Sequence, residues 1–371
     1  MDSLGRRPPN WGRVARRLLL WIVVGVPALL LLALVVSPDA RYLGRAGWEE
    51  GCILLRRKSI ASLVANPKTP AALRQRLELV LAARAYGADS MQLSVGRTYT
   101  TYADVKRDTL LLLLSASRRD RLRAYTWTYP IVGAVPYKGF FDFARARITA
   151  EDLAQAGYDT YMRRAAAFST LGYLSDPLLS TAVSRDTMEL VATVLHELAH
   201  NTLYVKNQTA FDESFASFVG YRGAQAFFRA RGDTIDAARA GARWRDERIL
   251  DVFYSELARR LDSAYASSPD EPAIEQARTT LFRWARAQLA GPVGQSLETY
   301  DWRWFATAPL NNAVVIAQRL YRMNLNLFDE IYLQNNADIA ETIHAIEVRV
   351  FTQPGQDPYQ SLYSRPGLPA D

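Results

Sequence analysis

Two of the chain's three histidines stand four residues apart in Val194-Leu195-His196-Glu197-Leu198-Ala199-His200. On a helix, positions i and i+4 share one face. Both imidazoles can therefore reach one ion at about 2.0–2.1 Å while Glu197 stays beside them as a base. This HExxH spacing calls for zinc, one ion per chain, and a catalytic zinc takes a third protein ligand. No histidine continues the pattern as HExxHxxGxxH, because the next in the chain is His344. A downstream carboxylate is the alternative, and Glu213 in Phe211-Asp212-Glu213-Ser214-Phe215-Ala216-Ser217-Phe218 stands thirteen positions past His200. Its helix can bury Phe211, Phe215, Phe218 and Val219 against the first. Asp212 is the rival, turned about 100° away around the same helix.

Two helices must carry these groups. Asp186, with Glu189 three residues on, supplies an N-cap and capping box for the first, and Met188, Leu190, Val191, Val194, Leu195 and Leu198 give it a surface to bury. From Asp186 onward the pattern is almost wholly helical, broken at Gly232-Asp233, from Ser267 to Pro272, at Gly291-Pro292 and near Pro309. Upstream, residues 41–66 and 69–87 carry apolar positions at helical spacing, with Asn66-Pro67 as the break. The aromatic and β-branched tract from Tyr125 to Gly139 suits short strands. Residues 150–157 read as a helix, and residues 165–174 as a strand ending in a turn at Ser175-Asp176-Pro177. The tail from Gln353 is rich in proline and glycine and is expected to fray. The fold class is α+β with helices dominant and a small sheet.

Hydrophobic residues at 49% and charged residues at 22% exclude wholesale disorder. Five arginines against Asp2 in residues 1–17 account for +4 of the net +7, leaving +3 for everything after. So even a spread is not the footprint of a nucleic-acid-binding surface, and no nucleic-acid partner is expected. Cys52 alone excludes an internal disulfide and a Cys-based zinc site.

Residues 18–36, LLLWIVVGVPALLLLALVV, hold no charge. At 1.5 Å per residue they nearly match a hydrocarbon core of about 30 Å. The arginine cluster before them sets the N-terminus in the cytoplasm. The expected organisation is a cytoplasmic tail at 1–17, a bilayer-spanning anchor at 18–36 and an extracytoplasmic zinc metallopeptidase domain at 38–371. A cleaved signal peptide is the rival, but the run exceeds an h-region of about 7–15 residues, and Pro38 follows the small-residue site Val35-Val36-Ser37. Cys52 lies too far along to be a lipidated cysteine.

Five stretches resemble the shared blocks of a bacterial family of gluzincin-type zinc metallopeptidases described as "putative aminopeptidase". They are residues 96–104 (GRTYTTYAD), 129–141 (YPIVGAVPYKGFF), 168–180 (FSTLGYLSDPLLS), His196 through Phe218, and 310–313 (LNNA). The resemblance implies a zincin-like domain in which His196, His200 and Glu213 ligate zinc and Glu197 is the catalytic acid/base. Relatives often begin with a lipoprotein signal, whereas this chain has an apparent anchor.

By the same resemblance, the strand before the zinc helix lies along a peptide substrate. That assigns substrate contacts to Ser169, Thr170 and Gly172, with Asp176 either meeting the substrate's α-ammonium group or only making an Asp-Pro turn. Tyr137-Lys138-Gly139 is a second cleft candidate or a strand-end turn. Zincins of this type add an oxyanion donor from a later helix. Tyr321, on the helix beginning near Asn311-Asn312, is the leading candidate, with a core aromatic as the alternative. His344, among Glu341 and Glu347, is expected to be solvated. The leading reading is a membrane-tethered aminopeptidase. An envelope endopeptidase and a non-catalytic envelope scaffold are the alternatives, and the intact Glu197 argues against the scaffold.

Overall fold

The computed structural model describes residues 11–129, 133–165, 177–183 and 186–363. Its backbone contacts divide the chain into two units, Met1–Leu55 and Arg56–Asp371.

The first unit is helical. α1 (Trp11–Leu20) runs through a π-helical turn at Trp21–Gly25 into α2 (Val26–Val36), and α3 (Pro38–Arg56) follows. The junction is set locally. Ser37 Oγ accepts the Ala40 amide at 3.2 Å and Pro38 takes the first helical position, where its missing N–H costs nothing. Arg41 Nη1 donates to the carbonyls of Leu34 and Val35 at 3.1 and 2.8 Å, satisfying the end of α2. Leu18–Val36 is long and apolar enough to cross a membrane, and none of that window is buried by the protein.

The second unit opens with β1 (Lys58–Ser59), α4 (Ile60–Ala65) and α5 (Ala71–Asp89). The stretch 41–66 is thus two helices rather than one, because the chain extends at Lys58–Ser59 to pair with β2 (Thr101–Ala103). Next come β3 (Leu111–Arg118), β4 (Trp127–Tyr129), β5 (Gly133–Val135), β6 (Tyr137–Phe140), α6 (Phe143–Gln155), β7 (Tyr158–Ala165), β8 (Leu178–Leu179) and α7 (Ser180–Val183). The strand expected at 165–174 lies, beyond Ala165, outside the described residues, and the strand β7 just before it was not anticipated. The alternating tract Tyr158-Asp-Thr-Tyr-Met-Arg-Arg-Ala165 pairs along its whole length with β3. The helix expected at 150–157 begins at Phe143, where Asp142 caps it through the amides of Ala144 and Arg145.

β3 is the centre of a three-stranded antiparallel sheet of order β6-β3-β7. Successive side chains on a strand point to opposite faces. Leu112, Leu114 and Phe140 pack with Ala146 and Ala150 of α6, whereas Tyr137, Tyr161 and Arg163 share the other face.

The helical remainder comprises α8 (Thr187–Thr202), α9 (Thr209–Ala230), α10 (Thr234–Ser267), α11 (Glu271–Ala290), α12 (Pro292–Gln295), α13 (Trp302–Thr307), α14 (Asn312–Arg319), α15 (Leu325–Gln334), α16 (Ile339–Phe351) and α17 (Pro358–Tyr363). Asp186 Oδ1 accepts the Glu189 amide at 2.9 Å and starts α8 as its sequence requires. Phe211, Phe215 and Phe218 of α9 are wholly buried, and burial of such side chains contributes about 1.5–3 kcal/mol each. Gly220 lets α9 close on α8, since a Cβ there would lie 2.8 Å from the Ala192 carbonyl oxygen and 3.3 Å from His196 Cβ. Of the tail expected to fray from Gln353, the segment Pro358–Tyr363 instead folds as α17, with Tyr359 and Leu362 buried, and residues 364–371 lie outside the described residues. Tyr359 is the reason. Its ring meets Phe211 edge-on at 5.2 Å, and its hydroxyl reaches the carbonyls of Ala210 and Met323 at 3.2 and 3.0 Å.

Candidate metal centre

α8 presents His196 and His200 on one face, and α9 brings Glu213 to meet them. The two Nε2 atoms are 3.2 Å apart, and Glu213 Oε2 lies 3.4 Å from the first and 3.9 Å from the second. Ligand atoms about 2.0–2.1 Å from a tetrahedral ion are spaced by about 3.3 Å, so these three outline one face of such a site. Each side chain keeps about a fifth to a quarter of its surface open (20%, 25% and 18%), which leaves a fourth side accessible. Among the described residues no other group of three His, Cys, Asp or Glu converges in this way.

The electrostatics suit a cation. Burial pushes the His200 imidazole down to about 4, with His196 acting in the same sense, so the ring stays neutral, the form that ligates metal. Burial alone would raise the Glu213 carboxyl, but the two imidazoles and the Arg163 cation outweigh it and hold the group below its ordinary range. Asp212, the rival, lies outside the cluster and engages one oxygen elsewhere. It is buried and accepts the Val205 amide at 2.8 Å, which fastens the α8–α9 loop to the start of α9. Glu197 is half-buried on α8, next to His196 and outside the three-ligand cluster.

The sheet supplies a second wall. Arg163 of β7 donates from Nη2 to the Tyr321 hydroxyl at 2.9 Å, and its guanidinium lies 5.2 Å from the centroid of the same ring. Burial and the Glu213 charge push the Tyr321 phenol well up, so it remains protonated. Tyr137 of β6 lies within electrostatic reach of both Glu213 and Arg163. Of the expected cleft block, Tyr137 therefore faces the site, whereas Lys138 stacks over Phe140 on the other side of the sheet and Gly139 is an interior strand residue rather than a turn.

Tyr321 lies two residues beyond the end of α14, not within it. The chain turns there because its neighbours are held. Arg322 pairs with buried Glu247 of α10 at 2.5 Å and donates to the Tyr300 hydroxyl at 3.1 Å, and Tyr300 in turn hydrogen-bonds Glu247. The Met323 amide donates to Ser214 Oγ at 3.1 Å, one residue from Glu213. Behind α8, Arg243 pairs with Glu189 at 2.9 Å and covers the Tyr300 ring at 4.1 Å.

Ser169, Thr170, Gly172 and Asp176 lie outside the described residues. His344 is exposed on α16, near Glu347, and takes no part in the centre. Arg163 is the functional candidate absent from the sequence reading. Its signal was the alternation Tyr161-Met-Arg163, visible once the strand is set at 158–165.

A family model described as "Putative aminopeptidase" matches residues 41–354. A search of the curated proteins and a search of the solved structures each found no match.

Proposed function

The chain belongs to the "Putative aminopeptidase" family, and from that premise and the His196–His200–Glu213 cluster we propose a membrane-anchored zinc aminopeptidase of the gluzincin HExxH type. The carrying observation is the convergence of two imidazoles and one carboxylate to within 4.8 Å. This ligand set is that of zinc sites that keep one coordination position open for chemistry. When bound, zinc supplies a Lewis acid that acidifies water towards a pKa of about 7 and polarises a carbonyl.

The chain's own residues supply the rest. Glu197 takes the proton of the attacking water and returns it to the leaving amine. Tyr321 donates to the carbonyl oxygen as that oxygen gains charge. On sequence resemblance alone, Ser169, Thr170 and Gly172 pair with the substrate backbone and Asp176 meets its α-ammonium group. The domain at 38–371 is zincin-like in this reading.

Digestion of a peptide library by the full chain, with free and with acetylated N-termini, tests the assignment. Loss of single residues from free N-termini only is the expected result. Internal cleavage of both sets overturns "amino" and leaves the peptidase; no cleavage of either overturns both.

The uncharged run 18–36 after the arginine cluster supports an uncleaved, single-pass anchor in the inner membrane, N-terminus in, with the catalytic domain on the extracytoplasmic side. The protein is expected to remain in the membrane pellet after carbonate extraction. N-terminal sequencing that starts after Ser37 or Ala40 refutes the anchor.

A further inference from the structure

We infer that Arg163 is a positioning residue for the Tyr321 hydroxyl: it occupies the phenol oxygen as acceptor and leaves the phenol proton to be donated at the metal centre. This deepens the peptidase reading, and its catalytic meaning rests on that reading.

A phenol offers one proton and accepts through its lone pairs, whereas a guanidinium only donates. The 2.9 Å bond therefore runs from Arg163 Nη2 to Tyr321 Oη, and the Tyr321 proton cannot lie along it. Among the described residues no protein group accepts that proton. The Met323 amide, two residues on, donates to Ser214 Oγ at 3.1 Å, which ties the Tyr321 segment to α9 beside the ligand Glu213. Among the described residues the hydroxyl thus keeps its proton to donate, which is what a developing oxyanion requires.

Both partners stand on rigid ground. Arg163 pairs in register with Leu113 inside the eight-residue ladder of β3 with β7. Tyr321 is followed by Arg322 and Met323, tied to Glu247 and Ser214. Arg163 also fixes the ring itself by lying 5.2 Å from its centroid, so one side chain sets both the plane and the rotor. A lysine is a point charge without the planar fork and cannot do both. Among the described residues Arg163 forms no ion pair with a carboxylate and hydrogen-bonds to Tyr321.

The test uses the full-length protein in two arms. In the first, 3-fluorotyrosine is placed at position 321 and its fluorine resonance is followed in metal-free protein. Arg163→Lys and Arg163→Ala are each expected to shift it, and an unmoved resonance overturns the pairing. In the second, kcat and KM are measured on a library peptide that the wild type cleaves. Tyr321→Phe is expected to lose about 10²–10³-fold in kcat. Arg163→Ala is expected to lower kcat with KM and zinc content unchanged, and the double variant is expected to be no slower than Tyr321→Phe. Multiplying losses in the double variant overturn the positioning role, because they show that Arg163 acts independently of Tyr321. If the wild type cleaves no peptide, the peptidase reading fails and the fluorine arm alone decides the pairing.

Discussion

Glu197→Gln is expected to abolish turnover while leaving the protein's metal and fold intact. The substitution is isosteric, and Glu197 lies on α8 outside the His196–His200–Glu213 cluster, so it removes no ligand. It does remove the only property that matters for a base, since an amide cannot take a proton from water. General acid–base groups contribute about 10²–10⁴-fold, and a base used in both halves of one reaction loses at least that much. Zinc content near one per chain, an unchanged melting temperature and a kcat lowered by at least two orders of magnitude form the expected triplet. Wild-type turnover by this variant eliminates the mechanism. A variant that also loses zinc shows instead that Glu197 is part of the metal site.

His200→Ala is expected to do the opposite, removing the metal first and activity as a consequence. It leaves His196 Nε2 and Glu213 Oε2, 3.4 Å apart, as a two-point site without the third corner that makes the face of a tetrahedron. Metal analysis of the purified variant is expected to find zinc at a small fraction of stoichiometry. Binding that favours the folded state stabilises it by RT ln(1 + [L]/Kd), about 4 kcal/mol at a thousandfold excess over Kd. Added zinc should therefore raise the melting temperature of metal-stripped wild type and leave that of His200→Ala where it is. Stoichiometric zinc in the variant eliminates this ligand set.

The ligand helices were legible in the sequence because everything that fixes them is local. The Asp186 cap, the i, i+4 histidines and the three phenylalanines spaced around Glu213 each act within one or two turns. The sheet was not. β3 begins inside the run Leu110-Leu-Leu-Leu-Leu114, which has no period-two alternation because Leu111 and Leu114, on opposite faces, are both buried, and such a run is indistinguishable from a buried helix segment. With β3 unassigned, β7 had no visible partner and was not read as a strand, so Arg163 stayed hidden. α17 escaped for another reason. Its sequence is ordinary, and what holds it is the contact of Tyr359 with residues more than thirty positions away. Composition near a chain end says nothing about such a contact.

Because Tyr359 joins the Ala210 carbonyl at the start of α9 to the Met323 carbonyl beside Tyr321, assembly of this molecule follows a clock. A ribosome adds roughly 5–20 residues each second, so residue 359 emerges roughly seven to thirty seconds after residue 213. Throughout that interval the first turn of α9 lacks its contact with Tyr359. A chain stopped before residue 359 is expected to carry His196, His200 and Glu213 on α8 and α9 but to lack the link that Tyr359 makes between the Ala210 and Met323 carbonyls.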